Sequence, residues 1–155
     1  MVKAEKKVVE KKPTEKKPKA LQYYEAVGRR KTAVARVRLY ISPTGTLKKG
    51  DMVVNSKPAF EYFPSVGEKN RFLEPLKLAE SLDRFIVSIK ILGGGKNGQL
   101  EAAILGLARA LQKVDMGYRQ ILKENDLLTR DGRVRERRKV GTGGRARRKK
   151  QSPKR

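Results

Sequence analysis

Thr32-Ala33-Val34-Ala35-Arg36-Val37-Arg38-Leu39-Tyr40-Ile41 is the stretch whose reading decides the fold. Ala33, Ala35, Val37, Leu39 and Ile41 fall on one side of an extended backbone; Thr32, Val34, Arg36, Arg38 and Tyr40 fall on the other. This period of two marks a strand with one buried face. Ser42-Pro43-Thr44-Gly45 follows, with Pro second and Gly fourth, a type I turn signal. The strand is therefore expected to return as an antiparallel hairpin through Met52-Val53-Val54, with residues 55–58 as the next turn. Phe85, Val87, Ile89 and Ile91 alternate as a further strand. Leu100, Ile104, Leu107 and Leu111, with Ala103 and Ala110 beside them, recur at helical spacing. Pro75 suits the first turn of a helix running to about Leu82. Asp115 can cap another helix through Tyr118, Ile121 and Leu122. The order hairpin, helix, strand, helix, helix predicts a two-layer α+β domain, a sheet with helices packed on one face.

Two groups of side chains have competing uses. Phe60, Tyr62 and Phe63 are expected in the core because of their bulk, although exposed aromatics also stack on RNA bases. Arg36 and Arg38 would lie on the uncovered sheet face. That placement fits an RNA-facing surface and ordinary solvated strand polarity equally well.

Charge divides the chain into three parts. The sequence has 155 residues, 39 Lys+Arg and 16 Asp+Glu, for a net charge of +23. Self-repulsion of that size disfavours an isolated compact state and calls for a polyanionic partner. Residues 1–20 hold eight Lys and three Glu with Pro13 and Pro18, too little apolar content to fold alone, and read as a disordered arm. Residues 21–129 read as the globular domain, with a net charge of +7. Residues 130–155 read as an extended tail with nine Arg and four Lys against Asp131 and Glu136. Arg130, Arg133, Arg135, Arg137, Arg138, Lys139, Arg145, Arg147 and Arg148 crowd there, interrupted by Gly141, Gly143 and Gly144. Guanidinium groups grip phosphate with two parallel hydrogen bonds, so this tail reads as an interaction segment for an anionic partner.

Absences narrow the chemistry. Without Cys or His the chain lacks thiolate nucleophiles, the commonest general base and the commonest metal ligands. No catalytic residue, metal site or cofactor is expected. No apolar run approaches a membrane span and no signal-peptide stretch opens the chain, so an intracellular setting away from membranes is expected. Gly93, Gly95 and Gly98 do spell the G-x-G-x-x-G of dinucleotide sites, between a strand and a helix. The following strand with its acidic end is missing, and no Lys-Ser or Lys-Thr completes a P-loop. The same turn, with Gly94, Gly95 and Lys96 at a helix N-terminus, could hold an rRNA phosphate or simply allow a tight connection. A free nucleic-acid-compacting module and a nucleotide-binding enzyme are the competing functional classes.

Four stretches together resemble the bacterial type of the small-subunit ribosomal protein S-nine family. They are residues 27–38, the turn Glu61-Tyr62-Phe63-Pro64, residues 93–99 with Ala108-Arg109-Ala110-Leu111, and residues 127–131 with 136–139. The resemblance spans about residues 23–155 and leaves the N-terminal arm outside. It implies a fold of the ribosomal protein S-five domain-two-like type with a left-handed crossover. It also implies a place in the head of the small ribosomal subunit of the cytoplasmic ribosome, on small-subunit rRNA and beside neighbouring head proteins, with no homo-oligomer. By the same resemblance, Arg29, Arg30 and Lys31 match a basic rRNA-binding loop, and residues 130–139 match a neck. Lys154 and Arg155 match the terminal residues that approach peptidyl-site tRNA. The sequence departs from the family at Gln151-Ser152-Pro153, where an aromatic is usual and none is present.

Overall fold

The computed structural model describes residues 22–42 and 47–136. The elements run β1 (Tyr23–Arg30), β2 (Ala33–Tyr40), β3 (Met52–Val54), β4 (Lys57–Pro58), the single turn α1 (Ala59–Tyr62), α2 (Val66–Leu78), β5 (Ile86–Leu92), α3 (Lys96–Val114) and α4 (Tyr118–Glu124). The strands form one mixed sheet in the order β1-β2-β5-β3-β4. The fold is α+β, as the order of elements predicts.

The pairing differs from the expected hairpin. β2 pairs antiparallel with β1 on one side and with β5 on the other. β3 lies parallel to β5 and antiparallel to the short β4. β1 reads Tyr-Tyr-Glu-Ala-Val-Gly-Arg-Arg, with Ala26 and Gly28 its only fully buried residues, so it carries no apolar alternation to betray it. Arg29 and Arg30 are consequently strand residues, and only Lys31 of the expected basic loop stands in the turn, at φ +50°. Asn55 and Ser56, both at positive φ, make the tight β3–β4 turn. Asn55 also stitches β3 to β5. Its side-chain amide donates to the Ile91 carbonyl at 3.1 Å, and its Oδ1 accepts from the Ile91 N–H at 2.9 Å.

The helices also shift. α2 begins at Val66, nine residues before the expected start at Pro75, which instead lies inside the helix. Ser65 and Glu68 form a capping box that supplies partners to two orphan N–H groups, and that signal outranks the proline. Asp115 ends α3, and its carboxylate accepts the Gly117 N–H at 2.8 Å, so Gly117 occupies the cap position of α4. Phe63 is fully buried and Tyr62 half-buried, but Phe60 is exposed. Ile41 lies past the strand end and is exposed as well. The expected arm at residues 1–20, the central residues of the turn after β2, and residues 137–155 lie outside the described residues.

The core forms between the inward sheet residues and α3. Ala33, Ala35, Val37 and Leu39 of β2, with Val87, Ile89 and Ile91 of β5, are buried against Leu100, Ala103, Leu107 and Leu111. α3 is buried on most of its circumference because α2 and α4 flank it while β1 and β2 lie beneath it. Helix and sheet approach most closely at two glycines. A Cβ on Gly28 would stand 1.9 Å from the Ala102 carbonyl oxygen and 2.4 Å from the Gly106 nitrogen. A Cβ on Gly106 would meet a Val37 methyl at 2.7 Å and the Gly28 nitrogen at 3.1 Å. Among the described residues, no helix is long and apolar enough to cross a membrane.

Gly28→Ala must push α3 off the sheet, because the obstructing atoms are backbone. It should cost about 3 kcal/mol or more, at the upper end of overpacking effects, in urea unfolding at moderate salt. Gly67→Ala in α2 meets nothing within 4 Å and should instead gain roughly 0.5–1 kcal/mol.

Candidate nucleic-acid interface

Alternation along β1 sends neighbouring arginines to opposite faces of the sheet. Arg29 points with Val27 to the uncovered face, and Arg30 points with Ala26 and Gly28 toward α3. Register then builds the uncovered face in rows. Arg29, Val34 and Leu92 stand in one row, and Val27, Arg36 and Lys90 in the next. A shallow groove runs between them, reaching Asn55 and Ser56. Arg29, Arg36 and Lys90 are exposed, and Leu92 is 76% exposed. The surface is therefore cationic with an apolar floor.

Arg38, one row further along, is engaged. Its Nε donates to Glu25 at 2.7 Å, and its guanidinium lies 4.7 Å from the centre of the Tyr23 ring. Tyr23 in turn packs against Tyr40 at 5.6 Å. The hydrogen bonds to Glu25 and Tyr40 raise the pKa of Arg38 and keep it charged.

The glycine turn sits against the β1–β2 turn. Gly93 and Gly94 take φ values of +71° and +70°, open to glycine at little cost. A Cβ on Gly93 would strike the Thr32 carbonyl oxygen at 2.7 Å, and one on Gly94 would strike the Ala33 Cβ at 2.8 Å. Both glycines are needed for this contact; of the other two members of the G-x-G-x-x-G spacing, Gly95 has nothing within 4 Å and Gly98 makes only ordinary contacts. Gln99 braces the turn by donating to the Gly93 carbonyl at 3.1 Å, and it accepts from Tyr62 Oη at 2.9 Å. Lys31 of one turn and Gly95 and Lys96 of the other are exposed at the same end of the sheet as Arg29.

Other cations are committed to structure. Lys113 Nζ donates to the Glu25 carbonyl at 2.7 Å, and Arg109 donates to the Val27 carbonyl at 3.1 Å. These carbonyls lie on β1, an edge of the sheet, and α3 thus covers part of that edge. Arg30 donates to Glu101, pairs with Asp131 at 2.9 Å and donates to the Arg133 carbonyl at 2.8 Å. Sequence reasoning missed Glu101 and Arg71, which joins Glu101 at 3.9 Å, because 71 residues separate Arg30 from Glu101 and no local pattern connects them. Arg133 grips Asp131 through Nε and Nη2 while its side chain stays 87% exposed. Arg130 and Arg135 are exposed. Arg137, Arg138, Lys139, Arg145, Arg147, Arg148, Lys154 and Arg155 lie outside the described residues. Among the described residues there is no cluster of three potential metal-ligating side chains.

The family model described as ribosomal protein S9/S16 matches residues 28–155. Small ribosomal subunit protein uS9 of Dehalococcoides mccartyi is 44% identical over 119 residues, covering 77% of this chain and 86% of the relative. That of Maridesulfovibrio salexigens is 46% identical over 119 residues, covering 77% and 87%. The protein of the same name from Amoebophilus asiaticus is 41% identical over 121 residues, covering 78% and 90%.

The hydrogen bonds from Arg133, reinforced by the Arg133 and Arg30 charges, hold the Asp131 carboxyl far below the ordinary carboxylate range. A depressed folded pKa contributes stability that is present above the ordinary carboxylate value and is lost as pH falls through the folded one. Asp131 should therefore still be ionised at about pH 3, when free carboxylates are mostly protonated. Carboxyl-carbon NMR shifts followed through an acid titration would check this. A midpoint near the ordinary Asp value would contradict the geometry.

Proposed function

The chain belongs to the ribosomal protein S9/S16 family and is therefore a ribosomal protein of the translation machinery and not an enzyme, and from that membership we propose that it binds small-subunit rRNA in the head of the cytoplasmic small subunit. The observation that carries this reading is the convergence at one end of the sheet. Arg29 and Arg36 on the open face, Lys31 in the β1–β2 turn, and Gly95 and Lys96 at the start of α3 present cations and helix N–H groups together. Phosphate oxygens suit all of these donors, and the apolar floor under Val27, Val34 and Leu92 suits riboses or base faces. Contacts of this kind set position, while the fold of the RNA supplies selectivity. Neighbouring head proteins complete the surroundings. The parallel β3–β5 pair bridged by α2 is consistent with the S-five domain-two-like assignment.

Residues 137–155 extend the same chemistry. Ten of these nineteen residues are Lys or Arg and none is acidic. In this reading residues 130–155 form a tail whose rRNA-binding neck leads to Lys154 and Arg155 on peptidyl-site tRNA, and residues 1–20 stay outside the rRNA-binding domain of residues 21–129. Binding is electrostatic and proceeds by release of counterions from the RNA.

Three measurements follow. In gradient sedimentation the protein should travel with small subunits. Recovery mainly in the free pool would favour a free nucleic-acid-binding module instead. Deleting residues 151–155 should weaken tRNA binding at the peptidyl site and leave incorporation into subunits intact; unchanged tRNA affinity would reject the tail contact. For the purified chain on rRNA, Arg36→Ser should weaken binding and reduce the log–log salt slope by roughly 0.7–0.9, the share of one phosphate. An unaltered slope would remove Arg36 from the interface.

A further inference from the structure

We propose that Arg30 is a positioning residue, a latch that fixes where the basic C-terminal segment leaves the globular part of the protein. The proposal deepens the RNA-binding reading above and rests on it for its purpose, although the latch itself is a property of the free chain.

The geometry is that of a three-way clamp. The Arg30 side chain is only 11% exposed, unusual for a cation in a chain so basic. One edge of its guanidinium engages Glu101 on α3. Nη2 meets Asp131 at 2.9 Å, and Nη1 donates to the Arg133 carbonyl at 2.8 Å. Residues 130–136 contain no helix or strand to hold them. Leu127 and Leu128 pack on the core just before this stretch, and Arg30 supplies the ion pair and the hydrogen bond that fasten residues 131 and 133 to it.

Charge explains why a latch is needed. Residues 130–155 carry thirteen cations, and the globular part is itself basic, so repulsion tends to drive them apart. Asp131 is one of only two acids in that segment, and it stands between Arg30 and Arg133. Without its carboxylate the two guanidinium groups would face each other. Glu101 supplies the compensating negative charge on the other side, so Arg30 can be buried without a net cost in unpaired charge. A planar fork with five donors can serve a helix carboxylate, a tail carboxylate and a tail carbonyl at once, and a lysine cannot. The eighteen steps along the chain from Glu136 to Lys154 can span at most roughly 65 Å, so a rotation at the root moves the far end by a large distance.

The chain has no cysteine, so two can be introduced cleanly for spin labels, Arg119→Cys on α4 and Glu136→Cys at the root. In the full-length chain, pulsed dipolar spectroscopy should give one narrow distance peak. Arg30→Met, Arg30→Lys and Asp131→Asn should each lose it. Asp131 lies outside every helix and strand, so Asp131→Asn answers the question even if Arg30→Met fails to fold. A peak equally narrow in a folded Asp131→Asn variant overturns the latch. Peptidyl-site tRNA affinity of subunits carrying Asp131→Asn separates the two ideas. Lost narrowness with unchanged affinity supports the latch and counts against the tRNA reading, while unchanged narrowness rejects the latch whatever the affinity does.

Discussion

The close approach of α3 to β1 at Gly28 and Gly106 is the constraint on which the rest of the structure depends. Backbone lies on backbone there, with no room for a methyl group on either side. The contact fixes which residues of β1 face inward. Gly28 inward requires Ala26 and Arg30 inward as well, and sends Val27 and Arg29 outward. One steric condition thus selects both the arginine held under the helix and the arginine offered on the open face. It also brings Arg109 and Lys113 within reach of the β1 edge, where they occupy two of its outward carbonyls.

A strongly cationic chain must keep its charges from tearing its own fold apart, and here the cations are sorted by depth. Those near the helix layer are matched, Arg30 by Glu101 and Asp131 and Arg109 and Lys113 by backbone carbonyls, and on the open face Arg38 is matched by Glu25. Those left exposed, such as Arg29, Arg36 and Lys90, lie on three adjacent strands beside Val27, Val34 and Leu92, with Arg36 and Lys90 directly opposite each other. Such a surface remains tolerable alone because dissolved ions screen it within about a Debye length, and it gains most when phosphates replace the counterions.

The alternation over β2 and β5 and the helical spacing over α3 were legible because each is a local period on a buried face. β1 was not, since its inward face carries a tyrosine, an alanine, a glycine and an arginine, with only the two small residues fully buried. The partner of Met52-Val53-Val54 was misread for a related reason. Three apolar residues cannot say which edge they join, and the side-chain stitches from Asn55 to Ile91 settle it in favour of β5. The start of α2 was overlooked although Ser65 and Glu68 spell a capping box, because a proline suggested a later start. The glycine turn packs tightly on Thr32 and Ala33 through Gly93 and Gly94, a contact that the G-x-G-x-x-G spacing of Gly93, Gly95 and Gly98 does not reveal.

By itself the sequence determined the α+β class, the core faces of β2, β5 and α3, the concentration of arginine toward the C-terminus and the need for a polyanion. These are properties of composition and of short periods, which the backbone geometry of strands and helices enforces locally. Only the tertiary structure decided which basic residues are free and which are spent. Arg29 and Arg30 are adjacent and chemically identical in the chain, and strand alternation under α3 sets one facing solvent and the other against Glu101, Asp131 and the Arg133 carbonyl. The partners of Arg30 lie 71 and more residues away, and contacts at that separation exist only once the chain has folded.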